Sequence, residues 1–444
     1  MSFPRYPAYK DSGVEWLGYV PSNWRRVRFK EVFREREERS IAGDETLLSV
    51  SAYTGVTPRS EILDDGDHLS RAESLEGYKV CYPNDLVMNI MLAWNRGLGM
   101  SPLHGICSPA YAVFQIVDGS SSRFLHYLLR SDEYIRYFKA FSAGVIDSRL
   151  RLYPDAFGSL STYLPSYEEQ QQIAGFLDRE TAKIDALVAE QEQLITLLKE
   201  KRQAVISHAV TKGLDPSVPM KDSGVEWLGE VPAHWDVRQV RSVSSFITSG
   251  PRGWSERIAD EGALFIQSGD LTESLGIDFG QAKRVAVQQD AETSRTRLLC
   301  GDVVVCITGA KTGNVAVAAS VIEDAYVNQH LCLIRPTTDV LPHFLGVFLK
   351  SDAGQRYFAI AQYGLKQGLS LESIKAAPVA VPPVSEQAAI VAFVEKATTQ
   401  VDQLIGEAVL SIELLRERRS VLISAAVTGQ IDVRGLAPAQ EQAA

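Results

Sequence analysis

The chain has 444 residues, more than one hydrophobic core usually accommodates, so its length predicts two or more domains. Its composition, 45% hydrophobic and 23% charged, is that of an ordinary globular protein, and no apolar run approaches the roughly 18 residues of a membrane span. The net charge of −10 excludes a chain that is basic overall, as a free-standing nucleic-acid binder usually is. Any contact with DNA therefore requires a local positive surface or a partner.

The first residues, MSFPRYPAYKDSG, contain no apolar signal core, and we expect a cytoplasmic protein. The seven histidines form no HxxxH pair, so we expect no metal site. The cysteines are odd in number and have no CxxC spacing, which favours reduced thiols that act as small buried hydrophobic residues. They are Cys81, Cys107, Cys300, Cys306 and Cys332.

The first long motif of the chain occurs twice. Residues 10–24 read KDSGVEWLGYVPSNW and residues 221–235 read KDSGVEWLGEVPAHW, with twelve of fifteen positions identical. Two further segments return 217 residues later: EQQQIAGFLD from Glu169 as EQAAIVAFVE, and KRQAVISHAVT from Lys201 as RRSVLISAAVT. The chain is therefore predicted to be two similar halves in tandem, each with an opening motif, a variable segment and a long helix.

The variable segments, about residues 25–164 and 236–383, read as mixed α/β globular domains. Short apolar runs that follow turn residues predict strands from Asp85 and Asp302, and a second corresponding pair from Ala112 and Leu331. Helical patches follow each pair, from Phe124 and from Phe344. The pattern does not predict the order of the strands.

Two long helices carry the clearest periodicity. Positions spaced alternately four and three residues apart, counted from Ile173 and from Ile390, are mostly apolar over five heptads, and neither segment contains a proline. This spacing favours an antiparallel coiled coil. Each helix would be about 60 Å long. The alternative is that each helix packs on its own globular domain. We predict domains at 1–164 and 215–383, helices at 165–214 and 384–430, and a flexible tail at 431–444.

Motifs for catalysis are missing from the sequence. Lys311-Thr312-Gly313 lacks the surrounding glycine-rich P-loop and also the SxxK and SDN companions of serine β-lactamases. The sequence has no GxGxxG, no GxSxG and no Asn-Pro-Pro-aromatic tetrapeptide of amino-group DNA methyltransferases. We therefore predict a chain that is not an enzyme.

Polar and aromatic residues near the ends of the predicted strands suit DNA contact. Arginine can bond guanine, and asparagine or glutamine can bond adenine, through paired hydrogen bonds in the major groove. Exposed loops often carry such residues without any nucleic-acid role. The candidates are Trp94, Asn95, Arg96, Arg149, Arg151, Arg252, Trp254, Arg257, Lys311, Thr312, Asn314, Gln329, His330, Lys366 and Gln367.

Three features of the sequence carry a family resemblance. They are the duplicated DSGVEWLGxVPxxW, the Pro…EQxxI entries to the helices at Pro165 and Pro383, and the LISxAVT-like exits near Thr211 and Thr428. Over almost its full length the chain resembles the specificity subunits of Type I restriction-modification systems. The second exit reads Thr428-Gly429-Gln430 where the first has Thr211-Lys212-Gly213.

The resemblance implies an α+β pseudo-twofold tandem repeat in which a long antiparallel two-helix coiled coil separates two target recognition domains. Each domain would read one half of an asymmetric, bipartite sequence in double-stranded DNA. Two copies of a methylation (M) subunit would modify adenine N6 with S-adenosylmethionine, and motor-nuclease (R) subunits would use ATP and Mg. This chain would bind none of these cofactors.

Two other functions stay open at the level of sequence. A complete DNA-modifying enzyme is disfavoured by the missing motifs. A coiled-coil adaptor with two protein-binding domains is favoured by the acidic charge.

Overall fold

The computed structural model describes residues 3–52, 54–61, 74–288, 290–362 and 368–436, and the chain divides into two compact units. Unit 1 contains Met1–Gln191 and Leu410–Ala444, and unit 2 contains Glu192–Val409. Each unit therefore combines one variable segment with parts of both long helices. Part of each long helix therefore lies in the buried core that contains the variable segment of the other half.

Unit 1 mixes short strands with helices. Its strands are β1 (Tyr9–Asp11), β2 (Tyr19–Pro21), β3 (Arg25–Arg28), β4 (Phe33–Glu35), β5 (Leu48–Ser51), β6 (Gly55–Pro58), β7 (Lys79–Cys81), β8 (Leu86–Asn89), β9 (Leu98–Met100), β10 (Gly105–Cys107), β11 (Tyr111–Ile116) and β12 (Ser161–Leu164). Its helices are α1 (Phe29–Val32), α2 (Ser122–Arg130), α3 (Asp132–Ala140), α4 (Pro154–Ser159) and the first part of α5 (Tyr167–Lys212).

The central sheet of unit 1 has the order β4-β11-β8-β9, with every neighbouring pair antiparallel. All four residues of β8 are buried, which explains why this strand reads as a continuous apolar run rather than an alternating one. The predictions of strands after Asp85 and at Ala112 are confirmed. Helix α2 begins at Ser122 because the Ser121 side chain caps the amide of Phe124.

The long helices run in opposite directions within unit 1. Asp185 of α5 forms an ion pair with Arg419 of α10 (Val384–Val427), while Arg179, closer to the start of α5, reaches the carbonyl of Leu436 beyond the end of α10. Ile184 and Leu422 belong to the same buried cluster. The packed stripes of both helices therefore contribute to the core of this unit.

Unit 2 repeats the mixture of short strands and helices. Its strands are β13 (Met220–Asp222), β14 (Glu230–Pro232), β15 (Asp236–Gln239), β16 (Ser244–Ser249), β17 (Ile258–Ala259), β18 (Ala263–Ile266), β19 (Lys283–Val285), β20 (Val303–Cys306), β21 (Val315–Val317), β22 (Ala325–Val327), β23 (Leu331–Pro336) and β24 (Pro378–Val381). Its helices are α6 (Ala291–Thr296), α7 (Pro342–Lys350), α8 (Asp352–Ala361), α9 (Leu371–Ala376), the second part of α5 and the first part of α10.

Two four-stranded sheets organise unit 2. The sheet β16-β23-β20-β21 is antiparallel and confirms the predicted strands at 302–308 and 331–335. The second sheet, β17-β19-β18-β22, contains a parallel pair, β18 with β22. Within this unit Arg202 of α5 forms an ion pair with Asp402 of α10.

Burial along the predicted helical seam is uneven. Leu177 and Val401 are buried, whereas Leu187, Leu194 and Leu404 are 45%, 42% and 49% exposed. The side chains therefore do not form a uniformly buried seam over five heptads. These exposed leucines leave apolar surface along both long helices.

The predicted flexible tail needs a correction at its start. Val433 is 2% exposed, and the amide of Asp432 donates to the carbonyl of Pro4. Residues 431–436 therefore pack on unit 1 because an apolar side chain follows the end of α10 into the core. Residues 437–444 lie outside the described residues.

Among the described residues, no helix combines the length and apolar character needed to cross a membrane. The same residues contain no group of three or more His, Cys, Asp or Glu side chains placed to hold a metal ion. Cys300 is exposed and the other four cysteines are buried. Burial raises the pKa of the Cys81 thiol to about 11 and that of Cys107 to about 12, so these thiols stay protonated.

Candidate nucleic-acid interface

In unit 1 the first candidate loop follows β8. Trp94 and Asn95 form a 3₁₀ turn there, and the indole nitrogen of Trp94 donates to the carbonyl of Met91 at 2.9 Å. The ammonium of Lys139 lies 5.2 Å above the Trp94 ring. The ring is therefore held in place while the side chain of Asn95 is exposed. Such a turn presents an amide beside a fixed aromatic group.

Arg96 ends this turn in a left-handed conformation, with φ of 57°. Its guanidinium group forms an ion pair with Asp132, and its Nε donates to the carbonyl of Arg130. These contacts aim Arg96 at helices α2 and α3. It therefore joins the candidate loop to the helical side of unit 1.

The second candidate loop of unit 1 lies next to the first. Ala143 and Arg151 exchange backbone hydrogen bonds of 2.8 and 2.9 Å, which closes a loop whose Arg149 is exposed. Leu152 donates to the carbonyl of Ile90 in the first loop. The structure therefore brings Trp94, Asn95, Arg149 and Arg151 onto neighbouring loops, as the sequence alone could not show.

In unit 2 the turn after β20 carries three candidates. Lys311 is exposed and its Nζ lies 3.3 Å from the carbonyl of Gly269, while the hydroxyl of Thr312 donates to the carbonyl of Gly309 at 2.6 Å. The amide nitrogen of Asn314 donates to the carbonyl of Leu271 at 3.1 Å. Asn314 therefore holds two segments of unit 2 together, and Lys311 is the most outward of the three.

Gln329 and His330 belong to a loop beside that turn. The carbonyl of His330 accepts from the amide of Ile307 at 2.8 Å, and the His330 ring contacts the hydroxyl of Thr308. The amide nitrogen of Gln329 lies 3.3 Å from the same ring. These contacts place the two candidate loops of unit 2 side by side.

A third segment of unit 2 carries Arg252, Trp254 and Arg257. The backbone of Gly250 approaches β22 so closely that an added Cβ would lie 2.0 Å from the carbonyl oxygen of Val327. This approach requires glycine and brings the segment to the loop of His330. Arg252 and Arg257 are exposed.

The assignment of Trp254 to DNA contact is wrong. The side chain is 1% exposed, packs against Phe265 and Tyr326, and donates its indole hydrogen to Glu292 at 3.1 Å. The ring fills a small core together with side chains of β18, β19 and β22, and it therefore cannot reach a base edge. The remaining two candidates, Lys366 and Gln367, lie outside the described residues.

The sequence reasoning missed a cleft of about 880 Å³ within unit 1. Helix α2 lines it with Arg123, His126 and Arg130, whose spacing of three and four residues places them on one face of the helix. That spacing was a usable signal. Arg416 and Arg419 come from α10, about 290 residues later, and no local pattern connects them with α2.

Burial and the neighbouring arginines lower the pKa values of two residues that line the cleft. Burial, Arg130 and Arg419 lower the pKa of His126 to about 4, so the imidazole is neutral at pH 7. Burial, Arg96 and Arg419 lower the pKa of Arg130 to about 10. Burial is the larger cause of both shifts, and the neighbouring guanidinium groups add to it.

Comparison with known proteins identifies relatives. A family model for the Type I restriction modification DNA specificity domain matches residues 232–409. The chain is 24% identical over 310 residues to the Type I restriction enzyme EcoKI specificity subunit of Escherichia coli (strain K12), covering 68% of this chain and 62% of that protein. It is 24% identical over 341 residues to the EcoBI specificity subunit of Escherichia coli, covering 74% and 69%. The match thus spans less than two thirds of the EcoKI relative.

Two solved structures share the fold. A chain from a structure of the type I R-M system, described for its complex assembly and conformational transition, aligns with a TM-score of 0.69 and 16% identity over 92% of this chain and 98% of that chain. The HsdS subunit from Thermoanaerobacter tengcongensis aligns with a TM-score of 0.54 and 17% identity over 93% and 98%. The family model and the two curated relatives show that this chain is similar to Type I restriction enzyme specificity subunits, and the two solved structures show that it shares their fold.

Proposed function

We propose that this chain is the DNA sequence-recognition subunit of a Type I restriction-modification complex and that each variable segment reads one half of an asymmetric, bipartite target. The match of residues 232–409 to the DNA specificity domain carries this proposal. The neighbouring polar loops of each unit support it, since arginine, lysine, asparagine and histidine side chains can bond base edges or phosphates.

The two units are suited to reading different sequences. Their central sheets have the same strand order, but the loops at the strand ends carry different side chains. Unit 1 presents Asn95 and Arg149, whereas unit 2 presents Arg252, Lys311 and His330. Different donors and acceptors on similar scaffolds favour two unlike half-sites.

Chemistry is proposed to belong to partner subunits. Methylation with S-adenosylmethionine, and cleavage with ATP and Mg, would take place on M and R subunits. The duplicated motif supports two copies of the M subunit: Glu15 and Glu226 occupy the same position of the motif and both are exposed. Two equal surfaces in one chain can bind two copies of one partner.

The long helices are proposed to act as an antiparallel coiled-coil spacer in a pseudo-twofold molecule. The opposed directions of α5 and α10 within unit 1, and their Arg202–Asp402 pair within unit 2, support this role. The exposed Leu187, Leu194 and Leu404 supply apolar surface on which partner helices could pack.

The test is a genome-wide map of adenine methylation in the host, with and without this chain. Loss of one gapped, bipartite motif on deletion is the expected result, and it would also reveal both half-sites. If every motif persists while the M subunit is expressed and active, the reader function fails and the adaptor function gains support.

A further inference from the structure

The two units carry equivalent loops at the edge of their central sheets, and each loop contains candidate residues for DNA contact. In unit 1 this central loop joins β8 to β9 and presents the exposed Asn95. In unit 2 the central loop joins β20 to β21 and presents the exposed Lys311. A side chain reads a base edge only when its loop holds it in a fixed direction. The contacts that hold the central loops therefore affect recognition.

A cation at the end of a helix faces each central loop. Helix α2 ends at Arg130 and helix α7 ends at Lys350. The two residues are equivalent in the repeat, since one segment reads FLHYLLRSD and the other reads FLGVFLKSD. The helix dipole favours a cation in the last turn of a helix. That interaction does not require any contact with a loop, and yet both side chains contact one.

In unit 1 the Arg130 guanidinium group bonds two loops at once. It donates to the carbonyls of Arg96 and Leu98, at 2.9 and 2.7 Å, where the central loop ends. It also donates to the carbonyls of Ser51 and Ala52, at 3.3 and 2.8 Å, between β5 and β6. Hydrogen bonds from a charged donor are stronger than those between neutral groups. Arg130 therefore ties the central loop of unit 1 to the β5–β6 loop.

Other side chains of α2 and α3 bond the same region. Asp132, at the start of α3, forms an ion pair with Arg96. One turn before Arg130, the ring of His126 accepts a 3.3 Å hydrogen bond through Nδ1 from the amide of Met100 in β9. The central loop and the strand that follows it are thus bonded to the helices at several points, and Arg130 also reaches a second loop.

In unit 2 Lys350 makes the corresponding contacts. Its ammonium lies 3.4 Å from the amide oxygen of Asn314, at the end of the central loop, and 3.4 Å from the carbonyl of Thr272, in the segment after β18. Gln355 of α8 donates to the carbonyl of Gly313 in the same loop at 2.9 Å. The cation at the helix end again joins the central loop to a second segment of its own unit.

We infer that Arg130 and Lys350 are positioning residues for target recognition, and that each fixes the central loop of its own unit from the end of a helix. Neither side chain needs to touch DNA for this role, because its bonds to loop atoms set the positions of Asn95 and Lys311. The role in recognition rests on the proposed function, whereas the fixing of the loops does not.

The first experiment uses the full chain in complex with its methylation subunit and a duplex with the mapped target. Exchange of residues 236–383 assigns each half-site to its unit. Discrimination is the ratio of the affinity for the target to the affinity for a duplex with one base pair replaced in one half-site. Arg130→Met removes the donors and should lower discrimination roughly tenfold at the half-site of unit 1 alone. Lys350→Met should do so at the half-site of unit 2 alone, so each variant is the control for the other.

Arg130→Lys separates positioning from charge. This variant keeps a cation at the helix end but replaces the planar fork that reaches four carbonyls with a single ammonium. Discrimination at the half-site of unit 1 should therefore stay below the wild-type value. Full recovery with lysine would assign the effect to charge and overturn the positioning role. Equal weakening on every duplex, with a smaller slope of log affinity against log salt, would indicate a phosphate contact and overturn it as well.

Hydrogen exchange of the free chain tests the loops without DNA. The amides of Gly97 and Gly313, one in each central loop, both donate to backbone carbonyls at 2.8 Å. Arg130→Met should speed exchange in the loop of Gly97, and Lys350→Met should speed it in the loop of Gly313. Each variant should leave the other loop at the wild-type rate. Unchanged exchange in both loops would overturn the inference.

The combined outcomes separate this inference from the proposed function. If the wild-type complex prefers no sequence, the proposed function fails, and the exchange rates still decide whether the two cations fix the loops. If exchange changes as expected but discrimination stays at the wild-type value at both half-sites, the role in recognition is overturned. If Arg130→Met does not fold, Arg130→Lys and Lys350→Met decide by the same two measurements.

Discussion

The indole nitrogen of Trp24 donates a 2.9 Å hydrogen bond to Oε1 of Glu169, in the first turn of α5. Trp235 makes the equivalent bond, 3.1 Å long, to Glu386 at the start of α10. A glutamate in the first turn of a helix also interacts favourably with the helix dipole. In each half, a tryptophan of the opening motif thus bonds a glutamate at the start of the long helix, although the two residues are far apart in the sequence. This bond fixes the long helix to the opening motif.

Glu169→Ala should destabilise unit 1, because it leaves the buried indole donor of Trp24 without its acceptor. The expected loss is about 2 kcal/mol of unfolding free energy. Glu386→Ala should cost less, since the Glu386 side chain is 28% exposed and water can replace it. Urea unfolding of the full chain measures both changes.

The neighbouring Glu168→Ala is the control, because Glu168 is exposed in the same helical turn. Equal stability of the Glu168→Ala and Glu169→Ala variants would contradict an anchoring role for the Trp24–Glu169 bond.

Substitution of Trp254 should lower the stability of unit 2, whereas substitution of Arg252 should weaken DNA binding. Trp254→Ala empties a packed site beside Phe265 and should cost about 3 to 5 kcal/mol in unit 2. Arg252→Ala removes an exposed side chain and should leave stability within about 0.5 kcal/mol while weakening DNA binding by the complex. Thermal unfolding and DNA titration of both variants give the comparison. A stable Trp254→Ala variant with altered base preference would reverse the assignment.

Local sequence patterns predicted the individual strands and helices, because these depend mainly on nearby residues. The buried strand at Leu86 and the long helix from Tyr167 follow from apolar runs and period, and the structure contains both. Trp254 was assigned wrongly because its partner Glu292 lies 38 residues away and an aromatic residue beside arginines resembles a contact loop. Contacts between distant segments leave no periodic signal.

The arginine-lined cleft of unit 1 could not be predicted for the same reason, because distant segments form it. Arg419 acts there with residues of α2 only because α10 returns to unit 1, and neither segment alone indicates the other. Strand order was not predictable either, since β11 pairs with β4 and β8, which lie far apart along the chain. The proposed function was more accessible than the geometry, because the duplicated motifs carry a family resemblance that can be read from the sequence.

His126 should make the stability of unit 1 depend on pH. Its pKa in the folded chain is about 4, below the ordinary value of 6.5, so the unfolded chain binds the proton more readily between these values. The stability that the neutral ring contributes is complete above about pH 6.5 and is lost as the pH falls toward 4, by at most about 3 kcal/mol.

His126→Asn keeps an acceptor near the position of Nδ1 and removes the titration. The difference in unfolding free energy between wild type and variant, measured from pH 7 to pH 4, should shrink or change sign as the pH falls. A difference that stays constant over this range would show that His126 does not titrate abnormally.

The spacer role predicts a change in the unread gap. Removing seven residues from each long helix, between positions 185 and 202 and between positions 402 and 419, retains the ion pairs Asp185–Arg419 and Arg202–Asp402. Each helix shortens by about 10 Å. The methylated motif should keep both half-sites with a gap shorter by about three base pairs.

The control for the spacer deletion removes the heptad from only one helix, which should disturb the pairing of the two. An unchanged gap in the double deletion would refute the spacer role.

Exchange of residues 236–383 for the variable segment of another family member should change one half-site only. The pairing of Asp236 with Val381, in β15 and β24, brings the two ends of this segment together, so both junctions lie at one edge of unit 2. Glu386 and Trp235 stay outside the exchange and keep the anchor of α10 intact. Because unit 1 retains its own loops, its half-site should persist in the methylation map. Changes in both half-sites would mean that the two units do not read DNA independently.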